Sequence, residues 1–278
     1  MLVLLIIILP LLFAALTIAA GEKQAKNTAA LGAVLTLAAG IAGFHRFAVD
    51  ATSKLLVFHT EWIKALNADF YLKIDGINSI LVLLTVLLMP FIIQSTQERT
   101  IKSPRAFYSL MLVMQSAMLG VFLAKDALLF YIFWELSLLP IYLLALIWGG
   151  EHKKRITFKF FVYTLFGSLF MLLAIIFVWL HTPSRSFSIY DFYTTGAHLT
   201  APQQLFVFIA FYLAFAIKIP IFPLHSWQPD TYVTAPTQGT MLLSGIMLKM
   251  GAFALIVWLI PIAPLGWHLA SKYVITLS

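Results

Sequence analysis

The sequence predicts an all-α polytopic membrane protein of about eight to nine transmembrane helices. Three observations carry that expectation. Hydrophobic residues make up 62% of the 278 positions and charged residues only 10%, against about 25% charged in soluble domains. The apolar residues gather in runs of about 20, the length that crosses a hydrocarbon core of about 30 Å. Lys and Arg collect between those runs, as topology-setting loops require. This composition excludes a soluble enzyme, a disordered chain and a nucleic-acid binder, since a nucleic-acid patch needs a solvated basic face. The chain has no Cys, which leaves no disulfide, thiolate-held cluster or covalent haem. It carries no Gly-rich dinucleotide fingerprint and no phosphate loop, and no metal-ligand set is read in it.

The first run, Met1 to Ala20, opens without a basic residue. A secretory leader begins with one, so the run reads as a retained span. The second, from Thr28 to about Phe44, is rich in Ala and Gly, which suits close helix packing. A polar segment from His45 to Lys73 follows. The third span covers Ile74 to Gln94, and Glu98, Arg99, Lys102 and Arg105 fill the next loop. The fourth covers Ala106 to Ala124, Lys125 and Asp126 mark a tight turn, and the fifth covers Ala127 to Trp148. Gly149 and Gly150 stop it.

After Glu151 to Arg155, the sixth span covers Ile156 to His181. A polar loop from Thr182 to Gln203 includes Pro183 and Pro202. The seventh span begins near Gln204 and meets Pro220 and Pro223; the eighth covers Pro236 to Ile260. Leu265 to Ser278 reads as the start of a ninth span.

Basic residues orient these spans. Lys23 and Lys26, then Arg99, Lys102 and Arg105, then Lys153, Lys154 and Arg155 occupy alternate short loops, with Lys159 just inside the next span. Lys125, Arg185, and the scattered Arg46, Lys54, Lys64 and Lys73 fall on the opposite side. Short loops weigh more than long ones, which places the N-terminus outside.

Three ionisable residues interrupt the apolar runs: Glu135 in FYIFWELSLLP, Lys218 in LAFAIKIPIFP and Lys249 in LSGIMLKMGAF. A charge at a helix centre costs about 2.5–3.5 kcal/mol to insert, so three cost roughly 8–10 kcal/mol unless paired or hydrated. Each has a bland reading. Lys218 could snorkel to the interface, Glu135 could pack as the neutral acid, and Lys249 could sit in a static ion pair. One acid and two bases together are better explained by a proton or ion path.

The prolines sharpen that reading. Pro220 cannot donate to the Ala216 carbonyl, nor Pro223 to that of Ile219, so the helix must loosen after Lys218. Pro140 does the same to the Leu136 carbonyl beside Glu135, and Gly245 and Gly251 flank Lys249. Freed backbone survives in a membrane only where protein or water covers it. A carboxylate 4 Å from an ammonium attracts it by about 4 kcal/mol at an effective dielectric of 20. Changing the Glu135–Lys218 separation would therefore change which group keeps the proton. His225, seven residues after Lys218, carries an imidazole that can relay it.

At these residues the sequence resembles a known family. FWELSLLPIYLL and AIKIPIFPLHSWQPDTYVTAPTQGTMLLSGIMLKMG are similar to the antiporter-like membrane subunits of proton-pumping NADH:quinone oxidoreductase, complex I. The Lys249 context, LLSGIMLKMG, favours the subunit M type, subunit 4 in mitochondria. DGINSILVLL from Asp75 resembles the family's third-helix opening.

The resemblance implies proton translocation through Glu135, Lys218, His225 and Lys249, with Trp227 and Asp230 in structural roles. It implies a bacterial inner membrane, a hetero-oligomer with other membrane-arm subunits, and NADH, FMN, iron–sulfur clusters and quinone in those partners rather than in this chain. Gln228 and Tyr232 stand where Leu and His are more usual. The family fold has about fourteen spans in two inverted five-helix repeats. Residues 1–278 are then expected to form a single membrane domain, the N-terminal part of that longer fold, with spans four to eight (residues 106–260) as the first repeat. A multisubunit cation/proton antiporter subunit, a membrane hydrogenase subunit and a non-conducting fragment are the other readings.

Overall fold

The computed structural model describes residues 1–96 and 101–277. Glu98 and Arg99 of the third loop, and Ser278, lie outside the described residues. Among the described residues, eight helices are long and apolar enough to cross a membrane. They are α1 (Leu2–Ala19), α2 (Ala25–Val49), α3 (Gly76–Gln94), α4 (Pro104–Leu123), α5 (Ala127–Trp148), α6 (Lys153–His181), α8 (Ala201–Lys218) and α10 (Thr237–Ile262). Between them lie α7 (Ile189–His198) and α9 (Gln228–Thr234), and α11 (Pro264–Leu277) follows.

The spans start where the sequence offers caps. The Asp75 carboxylate accepts from Asn78 N–H at 3.1 Å and the Asn78 amide oxygen accepts from Asp75 N–H at 2.7 Å, closing a reciprocal cap on α3. Asp126 caps α5 by accepting from Leu129 N–H at 2.9 Å. Thr200 and Gln203 form the reciprocal cap of α8, with Pro202 in its first turn. Gly149 ends α5.

α4 is the hub. It packs against α1, α2, α3, α5 and α10, and almost its whole surface is buried. Ser109 and Ser116 donate to the Ala14 and Ile7 carbonyls of α1 at 3.0 and 2.8 Å, the kind of interhelical bond that lipid does not compete for. The outer helices leave large apolar residues exposed, such as Ile8, Phe166, Leu173 and Ile209, where lipid would cover them.

Two segments read as polar loops are ordered structure. Val57–Ile63 (β1) and Ala68–Lys73 (β2) pair antiparallel, with His59 opposite Tyr71 and a register shift between Glu61 and Ile63. The second loop also begins later than expected, because α2 continues to Val49. The Thr182–Gln203 loop contains α7, whose Ile189, Phe192, Thr195 and Gly196 are buried on one face. The turn at Lys125 is clamped between these additions. Lys125 N–H donates to the Tyr71 carbonyl, Ala127 N–H to Phe187, and Ile189 N–H to Lys125.

The eighth span is not uniform. Leu243–Met247 and Leu255–Leu259 are π-helical turns on either side of Lys249. Pro140, in contrast, does not break α5, which is helical throughout.

Candidate functional site

α8 ends at Lys218 and the chain turns through Pro220, the break expected there. The freed carbonyls are taken up locally. Ile221 N–H donates to the Ala216 carbonyl at 2.9 Å. The buried indole of Trp227 donates from Nε1 to the Ile217 carbonyl at 2.9 Å. Backbone broken inside a bilayer needs such donors.

α6 then fixes the segment beyond the break. Lys159 Nζ donates to the Ser226 carbonyl at 2.7 Å and pairs with the Asp230 carboxylate at 3.1 Å. Ser226 Oγ donates to the Tyr163 hydroxyl at 3.1 Å, and the Phe160 and Trp227 rings lie 4.9 Å apart. Trp227 and Asp230 are thus both engaged in contacts that tie this segment to α8 and α6.

Lys218 is 3% exposed, so it does not snorkel. Its ammonium sits 5.2 Å from the centroid of the Trp134 ring on α5, a cation–π contact. Glu135 follows Trp134 in sequence and is half-buried. It interacts electrostatically with Lys218, but no ion pair of 4 Å or less joins them among the described residues. One Glu135 carboxylate oxygen, Oε1, is buried without a hydrogen-bond partner there.

His225 lies past the break, its ring 5.6 Å from that of Phe222 and its Nδ1 buried and unpartnered among the described residues. Lys249 does not occupy the buried depth its position in the run suggested. It is exposed on this chain, and its Nζ donates back to the Ser244 carbonyl at 2.5 Å. The helix bearing it nonetheless meets the break. A Cβ on Gly251 would fall 2.6 Å from Ile219 Cγ1 and 3.2 Å from the Phe215 carbonyl oxygen. Gly245 abuts Leu88 of α3 at 3.3 Å by the same measure. The fold brings Glu135 and Lys218 together, sets His225 across the break, and carries Lys249 on the helix that touches it.

A second charged group escaped the sequence reading. Lys125, read as a turn residue, is 3% exposed and paired with the Asp75 carboxylate. Beside it Asp126 accepts from Asp69 N–H at 3.0 Å as well as from Leu129. Burial pushes the Asp126 carboxyl up to about 6, against the lowering effect of those backbone donors. The available signal was Asp75 itself, an acid heading an apolar run. Its partner is 50 residues away, and nothing local names it. Among the described residues, no three His, Cys, Asp or Glu side chains gather as a metal-binding group.

Residues 124–278 match the family described as NADH:quinone oxidoreductase/Mrp antiporter, TM. The chain belongs to this family. Subunit M of the F(420)H(2) dehydrogenase of Methanosarcina mazei is 36% identical over 94% of this chain and 53% of that relative. NADH-quinone oxidoreductase subunit M of Rhodobacter capsulatus is 33% identical over 93% of this chain and 52% of that relative. The chain spans about half the length of these curated relatives.

Among solved structures, respiratory complex I from Thermus thermophilus with bound NADH superposes with TM-score 0.86 and 30% identity. The match covers 100% of this chain and 56% of that one. The Mrp complex from Dietzia sp. DQ12-45-1b superposes at TM-score 0.83 and 18% identity, over 97% of this chain and 29% of that one; at that identity the likeness speaks for the fold alone. The NADH:quinone oxidoreductase/Mrp antiporter family is thus met from sequence and fold alike, and its chains are multi-pass membrane proteins.

Proposed function

We propose that this chain is a proton-translocating membrane subunit of an NADH:quinone oxidoreductase-type complex of a bacterial inner membrane, with its N-terminus outside. Quinone reduction in partner subunits, which hold the NADH, FMN, iron–sulfur and quinone sites, drives proton movement through Glu135, Lys218, His225 and Lys249. Residues 106–260 form the first five-helix repeat of the antiporter-like fold. The chain is then part of an oxidoreductase and translocase without performing the redox step.

One observation carries this reading. Lys218 is buried at a helix break with Glu135 as an electrostatic partner, yet the two make no close ion pair. An intramembrane ammonium that is buried but not locked in a pair is placed for function. Likeness to NADH-quinone oxidoreductase subunit M of Rhodobacter capsulatus supports the same assignment.

The test uses the assembled complex in inverted membrane vesicles. Lys218→Met is expected to lower quinone-driven proton uptake by about tenfold or more, since a positioned proton-transfer group contributes on that scale. Lys249→Ala and Glu135→Gln are expected to do likewise. Wild-type uptake in normally assembled Lys218→Met complex would overturn the proposal.

A further inference from the structure

Gln115 lies in the middle of α4 with its side chain 0% exposed. Neither its amide oxygen nor its amide nitrogen has a hydrogen-bond partner among the described residues. Buried polar groups are almost always satisfied, by protein or by ordered water. Leu or Met would fill the same space without an unmet hydrogen-bonding demand, so packing does not explain an amide here.

The helical stripe tells what the amide faces. Ser109 and Ser116, seven residues apart, form the stripe bonded to α1. Gln115 shares the stripe of Phe122, two turns further on. The Phe122 ring packs edge-on against Phe253 of α10 at 5.3 Å. α4 and α10 are the fourth and eighth spans, with three crossings between them, and so run in the same direction. Two turns back, about 10 Å, Gln115 comes level with Ile246, within the π turn Leu243–Met247.

A second ruler comes within one turn of the first. α3 runs the other way, with Asn78 bonded to the Phe122 carbonyl at 3.0 Å and Leu88 against Gly245. This sets Gly245 level with Leu112, less than one turn from Gln115, so the amide lies within about a turn of that π turn. π turns loosen the backbone ladder and are frequent at functional sites. This one presents the Ser244 carbonyl that receives the Lys249 ammonium.

We propose that Gln115 holds buried water between α4 and the π turn of α10, and that this water serves Lys249 as the hydrated approach to its ammonium. The amide orients the water and takes up no proton itself, so Gln115 is a positioning residue. The proposal rests on the functional reading above.

The test compares assembled complexes carrying Gln115→Leu, Gln115→Met and Gln115→Asn, with Lys218→Met in parallel. Quinone-driven proton uptake and thermal stability are both measured. The apolar variants are expected to assemble and to pump roughly fivefold more slowly, the effect of losing one well-placed hydrogen bond from the path. Gln115→Asn keeps an amide and is expected to stay within about twofold of wild type.

Wild-type pumping in both apolar variants, with stability equal or raised, marks a dry packing residue and overturns the proposal. So does Gln115→Asn pumping as slowly as Gln115→Leu. Failure of both apolar variants to assemble marks a structural hydrogen bond and overturns it too. If Lys218→Met pumps slowly while the Gln115 variants are normal, only the role of Gln115 falls. If Lys218→Met also pumps normally, the functional reading itself falls.

Discussion

Pro220 removes one donor from the end of α8, and single residues elsewhere make good the loss. Ile221 N–H takes the Ala216 carbonyl, and Trp227 takes the Ile217 carbonyl that this leaves over with one indole N–H, ten residues on from Ile217. Asp126 works in the same way at the turn between α4 and α5, where its two carboxylate oxygens receive the Leu129 and Asp69 amides. Its burial opposes ionisation and raises its carboxyl to about 6 from an ordinary 3.8. The folded state therefore binds a proton that the unfolded chain releases between about pH 4 and pH 6. Stability from this residue is highest below pH 4, falls as pH rises to about 6, and is flat above. The span of roughly two pH units corresponds to about 3 kcal/mol as an order of magnitude. Asp126→Asn keeps the cap to Leu129 and loses one hydrogen bond, about 1 kcal/mol at every pH. Unfolding the chain in detergent at pH 4 to 7 should show wild type losing stability relative to Asp126→Asn as pH rises. Parallel pH profiles for the two proteins would contradict this.

At the scale of elements, α7 acts as a brace on the helix that carries Lys249. Pro261 has no N–H for the Val257 carbonyl, and the Tyr193 hydroxyl of α7 donates to it instead at 2.6 Å. Gly196 brings the same helix hard against α10, since a Cβ there would lie 2.0 Å from the Ile262 carbonyl oxygen. Tyr193→Phe should leave the Val257 carbonyl unpaired at a cost of about 1–3 kcal/mol. Faster proteolysis within residues 182–200 in detergent is the expected sign; an unchanged cleavage rate would show that Gly196 alone holds α7. This brace was not legible in the sequence. The spans were, because about 20 apolar residues in a row admit little else. α7 is short and flanked by Pro183 and Pro202, and β1–β2 has charges within its alternation, so each read as loop. The π turns leave no mark in composition at all. Of the candidate site, Glu135 and Lys218 were legible because charge stands out against an apolar run. The exposure of Lys249 and the burial of Lys125 depend on tertiary neighbours that no local pattern encodes.

At the scale of the molecule, the eight spans fix which loops share a side. The β1–β2 hairpin, the Lys125–Asp126 turn and the segment before α7 are joined by hydrogen bonds, so they lie on one face. The short basic loops, with Lys153, Lys154 and Arg155 among them, alternate with that face. On the orientation proposed above, with Lys and Arg retained on the cytoplasmic side, the hairpin face lies outside. The absence of Cys makes this directly measurable, because one introduced thiol is the only one in the chain. Ala65 at the hairpin tip and Glu151 between α5 and α6 are both exposed and outside the spans. Ala65→Cys should react with a membrane-impermeant maleimide added to intact cells, and Glu151→Cys only in inverted vesicles. The reverse labelling pattern would turn the whole molecule over. It would also put the Lys159–Asp230 side of the break, rather than the Asp75–Lys125 side, toward the exterior, and would reverse the direction from which the proposed proton path reaches Lys218.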